Sequence, residues 1–483
     1  MAMEITTRNP KDFILVGKRI SITDLKVFDH MIQLQYSVDV DYAFCTKIYY
    51  PVGELPLLKT KISEQEQRRL FCHIALFEGL KFLVTFPSHF DITLIADGLG
   101  PESLTLFREV AGRAWSQHMY ENGVVDYWGP AFIDGGKLGV CSPMSIPPRS
   151  DGKKVILASN GGGKDSFLVM KVLEQADISM SVFQHARTEY GRLKHQHELQ
   201  DKVYKHIKET AIEQVHRISV VDDYTEGTFV SAFNPQLLGD STFGNPCQVG
   251  WPEMVFESLV FVLNHGYFAF TLGNERSADT AQAQWSAMGD RQVNHQWLKS
   301  AHAQEVLRDF LGSHLVSSFD VFSMLKPVHD YRIYRAISRF PAILPDIHSC
   351  NVQKPWCKRC SKCCYVWINL CAVYGHQLVD PYFNENLLSV PELQEFWREL
   401  LGLSSHNAWE CVGETDETRL AFRVCSQAGM QGLAMDTFIE QVQNVTTAED
   451  WQKMLNRFDQ VYDHGHNIPV DIFEKVAPYL NLK

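Results

Sequence analysis

The alternation of apolar and polar residues predicts β-strands near the start of the chain. In Met31–Val38 (MIQLQYSV) apolar and polar residues alternate, as expected for a strand with one buried face. The segments 20–22, 42–50 and 91–96 carry a similar signal, and Pro51 ends the second of them. The first hundred residues are therefore predicted to contribute several strands.

Two predicted helices lie among and after these strands. Ser63, followed three residues later by Glu66, has the spacing of a capping box and predicts a helix that runs to about Leu83. The segment 103–120 predicts a second helix, which ends before Gly123. We expect residues 1–145 to form a mixed α+β domain that binds or orients substrate or supports the fold.

Beyond residue 145 the pattern changes to strands alternating with helices. Residues 135–154 are rich in glycine, proline and serine, which marks a boundary between domains. The alternation after it predicts an α/β fold, with helices on both faces of a parallel sheet and ligands at the carboxyl ends of its strands. We place this domain at 153–380 and a helical C-terminal region at 381–483. The predicted strands are 155–159, 178–183, 217–221 and 267–272, and the predicted helices are 166–175, 194–210 and Pro252–His265.

Composition and charge narrow the classes of protein. The chain has 483 residues, of which 45% are hydrophobic, enough for a large core. Its 45 basic and 57 acidic residues give a net charge of −12, which disfavours general nucleic-acid binding. The first residues lack the features of a signal peptide, and no apolar run is long enough to span a bilayer. We therefore expect a cytoplasmic protein with no nucleic-acid and no membrane partner.

A glycine-rich turn in residues 155–173 (VILASNGGGKDSFLVMKVL) carries the most specific signal. Three glycines between a strand and a helix let backbone N–H groups close around an anion, and the helix directs its positive end at the same place. The segment therefore predicts phosphate binding, with Asp165 reaching a Mg²⁺ ion and Ser166 donating at the helix start. The cofactor-binding candidates are Ser159, Gly161, Gly162, Gly163, Lys164, Asp165 and Ser166.

This turn resembles the ATP loop of the PP-loop pyrophosphatases, whose pattern is Ser-Gly-Gly-x-Asp-Ser/Thr after a first strand. Gly161 stands where that family usually has serine, and Ser159 is the candidate replacement for the missing hydroxyl. The resemblance implies an adenine-nucleotide α-hydrolase-like domain that cleaves ATP to AMP and pyrophosphate. It also implies an adenylate of the substrate as the intermediate.

Four cysteines near residue 360 have the spacing of a metal site. Cys350, Cys357, Cys360 and Cys363 are separated by six, two and two residues, which predicts a closed structural zinc knuckle with four sulfur ligands. Cys364 is an alternative to Cys363 as the fourth ligand, and His348 is a weaker alternative. Buried free thiols or a redox pair are the alternatives.

Two further segments, 272–300 and 325–337, are more polar than a core segment, and the first follows a predicted strand end. We expect them to line the pocket, although loop caps and surface ion pairs are the alternative for any single residue. The candidates that they supply are Asn274, Glu275, Arg276, His295, Lys299, Lys326, His329, Asp330, Arg332 and Arg335.

The order of these motifs resembles the MurL family over about residues 65–375. GGGKDS is followed by GNERSA, VNHQW, LKPVHDYRIYRAI, and HSCN with the cysteines, and LFCHIALFEGLKFLVTF and DITLIADG resemble the same family. Its members are ATP-dependent epimerases of UDP-N-acetylmuramoyl-L-alanyl-L-glutamate in peptidoglycan precursor synthesis. The resemblance implies inversion of the terminal L-glutamate of this UDP-linked muramoyl dipeptide through an acyl-adenylate, with ATP, Mg²⁺ and a structural Zn²⁺ as cofactors.

Within this family the polar candidates would have separate roles. We expect His295 and His329 to transfer the Cα proton, because the unperturbed pKa of histidine, near ~6.5, suits both directions. Glu275 and Asp330 would orient them or replace them. The expected substrate-binding residues are Asn274, Arg276, Lys299, Lys326, Arg332 and Arg335.

Three other functions share part of this pattern. A PP-loop ligase of the deazapurine nitrile synthase type also combines an ATP loop with a four-cysteine knuckle, and it differs by requiring an amine. A tRNA-modifying enzyme would grip RNA with the lysines near the cysteines. An inactive nucleotide sensor would release no pyrophosphate.

Overall fold

The structure is a computed structural model that describes residues 19–39, 42–140, 142–224, 252–350, 352–404 and 408–481. The N-terminal residues that we inspected for a signal peptide lie outside this part. Among the described residues, no helix is both long enough and apolar enough to cross a membrane.

A mixed sheet of ten strands, in the order β14-β10-β7-β8-β9-β3-β2-β1-β4-β5, forms the centre of the molecule. Two short pairs, β11 with β12 and β6 with β13, lie outside it. The strands are β1 Arg19–Val27, β2 Met31–Val38, β3 Tyr42–Tyr49, β4 His89–Asp91, β5 Ala131–Ile133, β6 Met144–Ser145, β7 Ile156–Ser159, β8 Met180–Arg187, β9 Ile212–Asp222, β10 Ala269–Leu272, β11 Ala283–Trp285, β12 Arg291–Val293, β13 Val316–Ser317 and β14 Asp320–Ser323.

Five neighbouring strands, β14, β10, β7, β8 and β9, are parallel. Ile156 on β7 is opposite Ala269 on β10 and Met180 on β8, so these strands end at the same edge. β7 and β10 are buried on both faces, which explains their short, continuous apolar sequences. The α/β fold with a parallel-rich sheet is therefore confirmed.

The N-terminal strands continue this sheet. β3 pairs antiparallel with β9, where Thr46 is opposite Asp222, and β2 and β1 extend the sheet further. Beyond them β1, β4 and β5 are parallel. Strands from the proposed domains 1–145 and 153–380 thus share one sheet, and the division of the chain at these residues stays a prediction.

Helices cover both faces of the sheet and account for most of the C-terminal region. One core lies against α2, α3, α7 and α8, and the other lies against α5, α9, α10 and the C-terminal helices. The helices are α1 Glu54–Lys61, α2 Glu64–Glu78, α3 Pro101–Ala114, α4 Ser116–Asn122, α5 Lys164–Gln175, α6 Leu193–Tyr204, α7 Pro252–His265, α8 Ala301–Phe310, α9 Asp330–Ile337, α10 Ser361–Tyr374, α11 His376–Phe383, α12 Gln394–Leu400, α13 Thr415–Gln427, α14 Leu433–Phe438, α15 Ala448–Phe458 and α16 Val470–Leu480.

The structure corrects several of the predicted elements. The predicted helix 194–210 ends at Tyr204. Of the predicted strand 91–96, only Asp91 lies in a strand, β4, and residues 93–95 form a turn after it. The helix that begins after Ser63 ends at Glu78, and a 3₁₀ segment, Gly79–Thr85, continues it. The predicted helix 103–120 is two helices, because Trp115 leaves helical geometry between α3 and α4.

Candidate active site at the carboxyl ends of the parallel strands

The glycine turn follows directly from the end of β7 and leads into α5. The Gly161 N–H donates to Ser166 Oγ at 2.9 Å, and the Gly162 N–H donates to Asn160 Oδ1 at 3.0 Å. Two side chains of the turn therefore hold two of its amides in place. The first-turn amides of α5 point to the same edge of the sheet, where a helix N-terminus favours an anion.

Gly162 is packed against the segment that leads to the cysteines. The Gly162 carbonyl accepts a hydrogen bond from the His348 N–H at 3.1 Å, and the backbone of Gly162 is left-handed, with φ of 83°. A Cβ on Gly162 would lie 2.0 Å from His348 Cε1, so only glycine fits this position. His348 thus contacts the turn.

Lys164 connects the turn to α9 through two carboxylates. Its Nζ donates to Asp165 Oδ1 at 2.6 Å and to Asp330 Oδ1 at 2.5 Å, and lies 4.9 Å from the centre of the Tyr334 ring. Burial by itself lowers the pKa of Lys164, but the two carboxylates raise it well above the usual range. Lys164 is therefore a permanent cation held at the start of α5.

The exit from β10 runs beside the same network. A Cβ on Gly273 would lie 3.0 Å from Asp165 Cβ, so the two strand ends approach closely. Glu275 is buried, which by itself raises its pKa, but Lys299 and Lys164 lower that pKa to about 2. The Asn274 Nδ2 donor is buried without a hydrogen-bond partner in the described part of the chain. A ligand at this edge would meet both groups.

Lys326 and His329 lie next to Glu275. The fully buried Lys326 Nζ donates to the Glu275 carbonyl and to Asp279 Oδ1, both at 2.7 Å. His329 Nδ1 lies 3.3 Å from Ser277 Oγ. Burial, with a smaller contribution from nearby cations, lowers the pKa of His329 to about 3. The expectation of a near-neutral pKa at His329 is therefore wrong, because the ring is desolvated and stays uncharged at neutral pH.

His295 and Lys299 converge on a cysteine that the sequence analysis did not select. Burial raises the pKa of the Cys411 thiol, but Lys299 and His295 outweigh burial and lower that pKa to about 5. Gln117 and Gln282 fix His295 from two sides, the first at its ring and the second at its backbone N–H. Cys411 lies in the C-terminal region, where a single cysteine in a loop gives no spacing signal.

The start of α13 supplies two more residues that the sequence analysis missed. Glu417 Oε1 accepts from the Tyr331 N–H and Oε2 accepts from the Glu414 N–H, both at 2.7 Å. Burial, together with Asp330, raises the pKa of Glu417 to about 8. A cavity of about 260 Å³, which includes Ser277, Thr280 and Glu414 in its wall, lies beside these residues. The predicted helical region therefore forms part of the site.

Three arginine candidates are engaged with the C-terminal segments. Arg332 Nη1 donates to Asp459 Oδ1 at 2.9 Å, and its Nε donates to the Leu480 carbonyl at 2.9 Å. Arg335 pairs with Asp459 as well. The Arg276 guanidinium lies 3.9 Å from the centre of the Tyr462 ring. These contacts attach the C-terminal helices, whereas Lys164, Lys299 and Lys326 are the cations gathered at the strand ends.

A second group of buried charges lies at the ends of β8 and β9, and the sequence analysis missed it. Arg187 makes two hydrogen bonds to the Glu78 carboxylate, at 2.7 and 3.1 Å. Lys81 donates to Thr46 Oγ1 at 2.6 Å and pairs with Asp222 and Glu78. Burial raises the pKa of Glu78, but Arg187 and Lys81 outweigh it and hold that pKa well below its usual range. The group ties α2 to the parallel strands.

Cys350, Cys357, Cys360 and Cys363 converge on one point, with their sulfurs all within 4.8 Å of one another. Two of the Sγ–Sγ distances are 4.0 Å (Cys350 to Cys360) and 3.8 Å (Cys357 to Cys363). Tetrahedral sulfurs at the usual Zn–S distance are roughly 3.8 Å apart, so the donor set fits Zn²⁺. Cys363, and not its neighbour Cys364, belongs to this group.

The fold is that of an α/β protein, and its candidate ligand site lies at the carboxyl ends of parallel strands. Two family models match the chain, the MurL C-terminal domain at residues 346–456 and the MurL N-terminal domain at residues 255–324. The first match includes the cysteine group and Cys411. No solved structure shows significant similarity to the chain.

Three similar proteins carry the name UDP-N-acetyl-alpha-D-muramoyl-L-alanyl-L-glutamate epimerase. The relative from Salinispora tropica is 30% identical over 36% of this chain and 40% of its own length. Those from Micromonospora sp. and Xanthomonas oryzae pv. oryzae are 29% and 25% identical, over 32% and 47% of this chain and 36% and 52% of their own lengths. The similarity thus spans about half or less of each relative. The chain is therefore similar to the MurL family over parts of its length.

Proposed function

We propose that this protein is an ATP-dependent epimerase that inverts the terminal L-glutamate of UDP-N-acetylmuramoyl-L-alanyl-L-glutamate. The similar proteins carry the name of this epimerase. The observation that carries the ATP step is the glycine turn at the end of β7, with Lys164 held beside it by Asp165 and Asp330. A glycine turn and a buried lysine at the end of the same strand can together bind the phosphates of a nucleotide.

The reaction explains why ATP is needed. A glutamate carboxylate is negatively charged, so the Cα–H bond next to it is too weakly acidic for a side-chain base. Joining the carboxylate to AMP removes its charge and lets the carbonyl accept the electron pair from Cα. The proton can then leave one face of Cα and return to the other, and hydrolysis releases AMP.

The residues around the glycine turn have separate roles in binding the phosphates, the Mg²⁺ ion and the peptide. In our proposal the first-turn amides of α5 and Lys164 bind the phosphates, and Asp165 would hold a Mg²⁺ ion that neutralises phosphate charge. One carboxylate with substrate phosphates is a usual Mg²⁺ environment, and Asp165 fits it if Lys164 stays paired with Asp330. Lys299 neutralises a carboxylate of the peptide, and the buried Lys326 holds the segment that carries Glu275 and Asp279.

The cysteine group has a structural role beside the candidate site. We propose that Cys350, Cys357, Cys360 and Cys363 hold a structural Zn²⁺ ion, because four thiolates leave no open position for water. Cys350 is two residues from His348, which packs on Gly162. The group would therefore fix the wall of the turn.

The test is to incubate the purified chain with ATP, Mg²⁺ and UDP-N-acetylmuramoyl-L-alanyl-L-glutamate in D₂O. We expect AMP, pyrophosphate and D-glutamate with one deuterium at Cα, and no exchange without ATP. Glutamate configuration after acid hydrolysis and mass spectrometry give the two readouts. AMP formation together with a new amide bond, but with no deuterium at Cα, would instead indicate a ligase.

A matched pair of variants tests the phosphate turn. Asp165→Asn removes the carboxylate while keeping its size, so AMP formation should fall by about 100-fold or more. Asp309→Asn makes the same change at an exposed position of α8 and should leave AMP formation unchanged. Equal AMP formation by the two variants would contradict the role of Asp165.

A further inference from the structure

We propose that Glu54, His216 and His265 form a second metal site, which binds a divalent transition-metal ion of the Zn²⁺ class. The proposal goes beyond the proposed function and does not rest on it. His265 ends α7, and Tyr267, which contacts His216, precedes β10. The three residues therefore lie near the amino end of β10, whereas the candidate active site follows its carboxyl end.

Three different elements supply the three donor atoms. Glu54 is the first residue of α1, His216 lies in β9, and His265 is the last residue of α7. Each residue offers one donor atom, and these atoms all lie within 4.8 Å of one another. The residues are far apart in the sequence, so no local spacing predicts this group.

The distances between the donors suit one small cation. His265 Nε2 lies 3.0 Å from Glu54 Oε1, and His216 Nδ1 lies 3.8 Å from the same oxygen. Donors that bind Zn²⁺ tetrahedrally at ~2.0–2.1 Å are roughly 3.3–3.4 Å apart. The two observed distances lie on either side of this value, so small side-chain movements bring the donors to one ion. Two histidines and one carboxylate are a usual ligand set for divalent zinc and iron.

Hydrogen bonds outside the group orient two of the three ligands. His216 Nε2 lies 2.7 Å from the Tyr267 hydroxyl, which leaves Nδ1 on the side of Glu54. Asn264 Nδ2 donates to Glu54 Oε2 at 2.6 Å and to the Glu54 carbonyl at 2.9 Å. Metal-binding histidines and carboxylates usually have such partners, which fix the ring and the carboxylate in place.

Asn264 also gives an independent indication of a ligand. Only 6% of this residue is exposed, and its Oδ1 has no hydrogen-bond partner in the part of the chain that the structure describes. A buried carbonyl oxygen without a partner destabilises the folded state. Because the Nδ2 of the same amide is bonded to Glu54, an ion at that carboxylate can satisfy Oδ1 directly or through one water. An ion pair between Glu54 and His265 alone leaves this oxygen without a partner.

The surroundings of the group admit a cation from solvent. Arg149 donates to the His265 carbonyl at 3.3 Å, but its charge is paired with Asp151 and Glu213, both at 2.7 Å. The side chains of Glu54 and His265 are 13% and 19% exposed, so an ion can enter and leave. With three protein ligands and partial exposure, the site should release its ion to EDTA, whereas the closed cysteine group keeps its zinc.

The first experiment is a titration of Co²⁺ into the zinc-loaded chain, after dialysis against EDTA and removal of the chelator. Co²⁺ with nitrogen and oxygen ligands absorbs in the visible range, without the near-ultraviolet charge-transfer band that thiolate ligands give. We expect visible absorption that saturates at about one Co²⁺ per chain, and Zn²⁺ should displace it. The proposal is overturned if the absorption does not saturate, or if it appears only together with the thiolate band.

Matched variants then locate the ion. His265→Gln removes one donor at a part-exposed position and should weaken Co²⁺ binding by about 100-fold or more, while Tyr267→Phe removes only the hydroxyl beside His216 and should weaken it by about tenfold or more. His376→Gln is the control, because His376 also faces a carboxylate, that of Asp380 at 3.3 Å, but belongs to no group of three donors among the described residues. Binding by His265→Gln at the wild-type affinity, or an equal loss in the control, would show that the ion lies elsewhere.

Thermal unfolding tests the structural consequence of the site. An ion that joins α1, β9 and α7 binds only the folded chain, so saturating Zn²⁺ should raise the unfolding temperature of the EDTA-treated wild type by about 3 °C or more. His265→Gln should show no rise, and His376→Gln should show the full rise. An equal rise in all three proteins would overturn the proposal. Neither readout depends on glutamate inversion, so the site and the proposed function can fail separately.

Discussion

At the scale of single residues, Gly162 joins two parts of the site that are far apart in sequence. Its left-handed backbone and the His348 ring next to it both exclude a side chain. We predict that Gly162→Ala lowers the free energy of unfolding by about 2 kcal/mol or more and abolishes AMP formation, because both effects act together. Urea unfolding and AMP release are the measurements.

Gly152 separates the two effects. It also has a left-handed backbone, with φ of 68°, but nothing lies within 4 Å of a Cβ there. Gly152→Ala should therefore lower the free energy of unfolding by only about 1 kcal/mol, because only the left-handed backbone opposes the side chain, and it should keep AMP formation. Equal losses in both variants would mean that the contact with His348 is unimportant.

Glu417 gives the stability of the protein a pH dependence of its own. Because its pKa is raised in the folded state, that state binds the proton more tightly than the unfolded chain does. Its contribution is present below the ordinary glutamate pKa and is lost as pH rises through about 8. We predict a smaller fall in unfolding free energy between about pH 5.5 and pH 8.5 for Glu417→Gln than for wild type.

An exposed glutamate is the control for this measurement. Glu449 lies in the first turn of α15 with its side chain in solvent, so Glu449→Gln should keep the wild-type pH dependence. A wild-type slope in Glu417→Gln would contradict the raised pKa of this carboxyl.

At the scale of elements, the capping box of α2 shows how much a local pair of hydrogen bonds contributes to the stability of a helix that is also held by tertiary packing. Ser63 Oγ accepts from the Glu66 N–H at 3.3 Å, and Glu66 Oε2 accepts from the Ser63 N–H at 2.8 Å. We predict that Ser63→Ala lowers the free energy of unfolding by about 1 kcal/mol, measured in urea. Ser63→Asp keeps an acceptor and should stay near wild type, so an equal loss there would exclude the cap as the cause.

The cysteine group anchors the start of α10, because Cys360 is the N-cap residue of that helix and Cys363 lies in its first turn. We predict about one zinc ion per chain by elemental analysis, and loss of that metal with a lower unfolding temperature in Cys360→Ser. Cys364→Ser changes the adjacent buried cysteine and should keep its zinc. Soluble, active protein with no metal would contradict the site.

Elements were predictable where local pattern decides their structure. In β2 the burial alternates at every residue, as MIQLQYSV indicates, and α7 has the predicted bounds. The segment 91–96 was predicted wrongly because Ile92 and Ile95 are buried by a turn, in which Asp91 accepts from the Thr93 N–H. Apolar content alone does not distinguish a strand from a buried turn.

At the scale of the whole molecule, the sequence could not predict which distant segments meet. The cysteine group was recognisable because its ligands are close in sequence, and their convergence is confirmed. Cys411 and Glu417 carry no spacing signal, and they reach the strand ends only because the C-terminal helices pack back onto α9. Tertiary packing also reversed the expectation for His329, since burial sets its charge.

The pairing of β3 with β9 affects the order in which the chain can fold during synthesis. Thr46 and Asp222 are 176 residues apart, and they bond directly across this pair of strands. At ~5–20 residues per second a ribosome needs roughly 10–35 s to make the partner of β3 after β3 itself has emerged. During that interval β1, β2 and β3 can form a three-stranded sheet, but the edge of β3 that pairs with β9 stays unpaired. The nascent chain therefore carries a strand edge that can pair with another chain until β9 emerges.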